Sequence, residues 1–170
     1  LDPFTAFGWL SINAIVQALL YIGETPTISS IKVHLQDSME NLCSKALDSF
    51  CRSADQHEKD EKGELSHPSY DDLFNQEVRK MKVPPSASVQ TDIKCLIYST
   101  QYMTAPGAGN ISSLVKLRNH PREHFSKMIN NMLPLLDMLT VGTLGTMLSM
   151  SPGDDLDMKR ETINTMDILD

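Results

Sequence analysis

Ile31-Lys32-Val33-His34-Leu35-Gln36-Asp37-Ser38-Met39-Glu40-Asn41-Leu42-Cys43-Ser44-Lys45-Ala46-Leu47-Asp48-Ser49-Phe50 is the stretch that decides the fold. Ile31, Leu35, Met39, Leu42, Cys43, Ala46, Leu47 and Phe50 follow one another in steps of one, three and four, the spacing of one helical face. Lys32, Gln36, Asp37, Glu40, Asn41, Lys45 and Asp48 fill the other side. Ser29 or Ser30 reads as the cap, because a hydroxyl can accept from the first amides of a helix.

The same period recurs on both sides of this stretch. From Ala6 to Ile22 the apolar residues are nearly continuous, which predicts a central helix stopped at Gly23. Ser69-Tyr70-Asp71-Asp72 reads as a cap with first-turn acids. It predicts a helix to Lys82, with Leu73, Phe74, Val78 and Met81 buried, ended by Pro84-Pro85. Ser88 would cap a fourth helix through Val89, Ile93, Leu96, Ile97, Thr100 and Met103. A short fifth helix starts at Asn110 or Ser112. A sixth follows Pro121 and carries Phe125, Met128, Ile129, Met132, Leu133 and Leu136, with Pro134 set to kink or break it. Met132 to Met150 approaches membrane length, but Asp137, Pro134 and interspersed Ser, Thr and Gly make it a buried helix. Gly142 and Gly145 would let a neighbour approach it closely. No partner strands are evident. The expectation is an all-α chain of about seven to eight helices, either an irregular multi-helix bundle or a helical-repeat fragment.

Three segments fall outside this pattern. Leu1-Asp2-Pro3-Phe4-Thr5 resembles the leader left by topoisomerase-based expression cloning, so 1–5 reads as a vector remnant and the rest as a piece excised from a longer protein. Residues 53–66 hold five acids, two bases and little that is apolar, and read as a flexible charged linker within one helical domain over 6–150. Residues 151–170 are acidic, with Leu156, Ile163, Met166 and Leu169 spaced for a last amphipathic helix.

Composition narrows the function. Fifteen bases against 22 acids give a net charge of −7, which argues against general nucleic-acid binding, since that needs clustered cations. Cys43, Cys51 and Cys95 are odd in number and form no CxxC pair. They point to a reducing, intracellular compartment, cytoplasmic or nuclear, and read as small core residues. Asn110-Ile111-Ser112 fits a glycosylation acceptor, which that compartment overrides. Ten methionines suit a core with irregular gaps, or an adaptable surface.

The chemical motifs are weak. His120-Pro121-Arg122-Glu123-His124 matches the spacing H-x-x-E-H of inverted zinc peptidases. Pro121, however, keeps His120 at the helix start, and no third ligand is indicated. His34, His57 and His67 complete no metal set, no G-x-S-x-G occurs, and Gly107-Ala108-Gly109 lacks the context of a phosphate loop. No catalytic, cofactor or metal residues are assigned. Lys116, Arg118, Arg122 and Lys127, against Glu123 alone, form the one basic patch recognised, and are the candidate partner-binding residues. Ser151-Pro152 fits proline-directed phosphorylation. The reading is a non-catalytic protein–protein interaction or scaffold domain that binds another protein, through an acidic or amphipathic helical segment of that partner. The alternatives are an oligomerising structural protein, such as a viral nucleocapsid-associated or matrix component, and a small enzyme of unrecognised type.

Overall fold

The computed structural model describes residues 3–37 and 39–141. Among them are seven α-helices, one π-helical segment and no strand. The helices are α1 (Pro3–Tyr21), α2 (Ile28–Gln36), α3 (Glu40–Glu58), α4 (Tyr70–Arg79), α5 (Ala87–Ile97), α6 (Ala108–Arg118) and α7 (Arg122–Val141). The π-helical segment, Tyr98–Tyr102, continues α5. The all-α class expected from the periodicity is what the chain adopts. Packing divides into two compact units: Leu1–Met39 with Lys116–Asp170, and Glu40–Val115. No shift in composition marks that division.

In the first unit, α1 packs on α2 and α7. Trp9, Ile12, Ile15, Val16 and Leu19 are buried, whereas Leu10 and Tyr21 are exposed. The helix is therefore one-sided, although its sequence looks apolar nearly all round. Its end follows the Schellman pattern. Gly23 has φ 81°, Gly23 N–H donates to Leu20 O, and Glu24 N–H donates to Leu19 O at 2.8 Å. Only glycine takes that backbone angle without a Cβ penalty. Gly8 lies against α7, where an added Cβ would stand 2.4 Å from Met132 Sδ. Phe125, Met128, Ile129, Met132 and Leu136 supply the buried face of α7. The helix continues through Pro134, whose ring is exposed, where a kink or a break was expected.

The long helix expected over 31–50 is two helices. Thr27, not Ser29 or Ser30, caps α2: its Oγ1 accepts from Ser30 N–H while Ser30 Oγ accepts from Thr27 N–H. Between the two helices Met39 has φ 57°, in the left-handed region. Every apolar residue of the stripe is buried all the same. A break between two helices can keep both apolar faces inward, and the period alone does not reveal it.

In the second unit, α3 packs on α4, α5 and the π segment. α3 runs to Glu58, so residues 53–58 of the expected linker are helix, and Asp55 within them is only 5 % exposed. From Lys59 to Glu64 the chain is exposed, with Asp60 accepting from the amides of Lys62 and Glu64. Ser69 caps α4 as expected, its Oγ accepting from Asp72 N–H. On α4 only Tyr70 is buried; Leu73, Phe74 and Val78 are half-buried and Met81 is exposed, which corrects the expected buried face. Ser86, not Ser88, caps α5 through Val89 N–H. Its inner face is Thr91, Ile93, Cys95 and Ile97, while Val89 and Leu96, both expected inside, are exposed. α6 starts at Ala108, ahead of the expected Asn110 or Ser112, and buries Ile111 and Leu114 in this unit; Leu117, also buried, belongs to the first. No described helix is long and apolar enough to cross a membrane. Gly142, Gly145, Ser151 and the acidic segment lie outside the described residues.

Candidate interaction site and buried polar network

The four candidate partner-binding residues lie at the α6–α7 turn. Lys116 is in the last turn of α6, where a cation suits the negative end of the helix. Arg122 is the first residue of α7, where the positive end disfavours it. Lys116, Arg122 and Lys127 are exposed; Arg118 is half-buried and donates from Nη1 to Asn119 Oδ1 at 2.8 Å. Arg122 lies 5.6 Å from the Phe125 ring centre. Arg122 and Lys127 are about 140° apart around the α7 axis, so the cations form a band around the turn, not one flat face.

The histidines of the H-x-x-E-H spacing do approach each other. The His120 and His124 rings are 5.7 Å apart, and His120 stacks on Phe7 of α1 at 4.5 Å. The ring of His120 is thus engaged with an apolar neighbour. Among the described residues no three His, Cys, Asp or Glu side chains gather as a metal would need.

A connected group of polar side chains lies in the second unit, where sequence reading assigned none. Asp48, Cys51 and Asp55 follow one another along α3 at helical spacing. Asp55 accepts from Tyr70 N–H and from Tyr102 O–H, each at 2.7 Å. Asp48 accepts from Tyr70 O–H at 2.7 Å and pairs with Lys94 Nζ at 3.0 Å. Lys94 is 12 % exposed, also donates to Ser44 Oγ, and lies over the Phe74 ring. The π segment brings Tyr98 and Tyr102 to bear on different partners: Tyr98 O–H donates to Ala108 O, and Tyr102 reaches Asp55. At the surface, Arg52 donates to Asp71 through Nε and Nη2, joining α3 to α4.

Burial holds the thiol and two phenols of this group in their neutral forms. Burial pushes the Cys51 thiol well above the usual range, and the charges of Asp55 and Asp48 push it further. The Tyr70 and Tyr102 hydroxyls are raised first by burial, then by donating to Asp48 and Asp55 respectively. No buried side-chain nitrogen or oxygen among the described residues is left without a partner. Cys43, Cys51 and Cys95 are buried and form no disulfide.

His67 closes the charged loop. Its Nε2 faces Glu58 Oε2 at 2.9 Å and its Nδ1 faces Pro68 O at 2.8 Å. Both partners are acceptors, so the imidazolium, with two N–H groups, fits where a neutral ring satisfies only one. Its pKa is accordingly raised, first by Glu58 and then by the Pro68 carbonyl.

No family model, curated protein or solved structure matches this chain.

Proposed function

We propose that this chain is a non-catalytic protein–protein interaction or scaffold domain of an intracellular protein, and that an acidic partner docks on the α6–α7 turn. The observation that carries the reading is Arg122. It stands exposed at the N-terminus of α7, a position that costs helix stability, between the exposed cations Lys116 and Lys127 in a chain of net charge −7. The non-catalytic part is supported by the second unit, where clustered carboxylates and tyrosines are occupied with one another.

The test is a display library of helical peptides with an acidic face, selected on the full chain. The selected peptide is then titrated by fluorescence anisotropy. Arg118→Glu with Arg122→Glu should weaken binding about tenfold and leave the melting temperature unchanged. Unchanged affinity removes the turn from the reading, and recovery of no saturable binder refutes the domain as an interaction module. Light scattering during size exclusion should give a monomer; a stable oligomer favours the structural alternative.

A further inference from the structure

The α4–α5 corner carries a second set of exposed cations. Arg79, Lys80 and Lys82 are exposed, and no acid occurs between Glu77 and Asp92. Lys80 pairs with Glu77 at 2.9 Å, three residues before it. Arg79 and Lys82 have no ion-pair partner among the described residues. Large apolar side chains interleave with these cations and continue along α5. Val83 is 73 % exposed and Leu96 56 %, and Met81 and Val89 are exposed as well. Val89 and Leu96 are seven apart, on one face of α5.

The corner is also held in place. Pro84-Pro85 removes two backbone donors and restricts Val83 to extended geometry. Gln90 Nε2 donates to Pro85 O at 3.1 Å, and Ser86 caps α5. A surface fixed before binding loses less freedom on binding.

We infer that the α4–α5 corner is a docking surface for an acidic amphipathic helix of a partner protein. Carboxylates of that helix would meet Arg79 and Lys82, and its apolar side chains would cover Val83, Val89 and Leu96. Nucleic acid fits less well: three cations release few counterions, and 79–96 exposes no aromatic ring on which bases stack. A lipid surface fits less well too, because the corner lacks an exposed aromatic anchor and the chain's net charge is repelled by anionic headgroups. The inference rests on the interaction reading above but not on the α6–α7 turn.

The experiment titrates the full chain with a labelled helical peptide carrying Glu on one face and Leu on the other. Arg79→Glu with Lys82→Glu, and separately Leu96→Ser, should each weaken binding about tenfold with circular dichroism unchanged. Lys59→Glu with Lys62→Glu, in the exposed 59–64 loop, should leave this binding unaltered, and Arg118→Glu with Arg122→Glu is titrated beside them. Loss only in the Arg118 and Arg122 variant overturns the corner and leaves the earlier reading standing. No saturable binding of the peptide, or equal binding by all variants, overturns the inference. So does tighter binding of single-stranded RNA or of phosphatidylserine vesicles than of the peptide.

Discussion

Removing the Asp55 carboxylate should reveal how much the second unit depends on it. Asp55 is 5 % exposed and takes one hydrogen bond from the Tyr70 amide and one from the Tyr102 hydroxyl, both at 2.7 Å. Asp55→Ala leaves both donors without a partner in a dry position. Each orphaned donor costs about 1–3 kcal/mol, so the variant should lose about 3–5 kcal/mol. For a chain of this size that lowers the melting temperature by roughly 10 °C. Asp55→Asn separates hydrogen bonding from charge. Its amide oxygen can take the Tyr70 N–H, and its amide nitrogen can donate to the Tyr102 hydroxyl once that rotor turns. The Asn variant should therefore cost only about 1 kcal/mol.

The assay is urea unfolding followed by far-UV circular dichroism, because the sole tryptophan, Trp9, lies in the other unit. The midpoint should fall while the slope stays constant, which marks a loss of stability and not a change of denatured state. Tyr102→Phe closes a cycle: its cost should largely vanish in the Asp55→Ala background, since the bond it removes is already gone. An Asp55→Ala cost below about 1 kcal/mol, or equal costs for Ala and Asn, would refute the account of a carboxylate held for its two donors.

Gly8→Ala should destabilise by about 1 kcal/mol, since its Cβ would stand 2.4 Å from the Sδ of fully buried Met132 and overpacking outweighs the gain in helix propensity; in a Met132→Ala background the sign should reverse, as read from thermal melts. The raised pKa of His67 makes its contribution fully present below the ordinary imidazole value of about 6.5 and lost as pH rises through the higher folded value, so stability should fall across that window and His67→Gln should flatten the slope; an unchanged slope excludes the clasp on Glu58 and Pro68.

What the sequence made legible was local. Ile31, Leu35, Met39, Leu42, Cys43, Ala46, Leu47 and Phe50 are all buried, and Ser69 and Gly23 act where a cap and a stop were expected. Errors arose where two readings share one local pattern. Ser86 and Ser88 are both plausible caps, and only the backbone decides that Ser86 faces Val89 N–H. Val89 and Leu96 fit the period of α5 as well as Ile93 and Ile97 do, but the inner face is set by Thr91, Cys95 and the tyrosines of the π segment. A π turn advances fewer degrees per residue than an α turn, so the period that predicts Met103 inside points it elsewhere.

The polar network was hidden for a different reason. Residues 53–66 are rich in acids, and average composition argues for a solvated linker. Position argues otherwise, because Asp55, four residues after buried Cys51, extends the spacing of the apolar face of α3. A carboxylate on such a line is tolerable only if donors come from elsewhere to meet it. Here they come from Tyr70 and Tyr102, 15 and 47 residues away along the chain. No local pattern announces donors at that range. The usable sign is the conflict itself: an acid on a helix's buried line requires a remote tyrosine, amide or cation, and a reader who accepts the spacing over the composition must look for one.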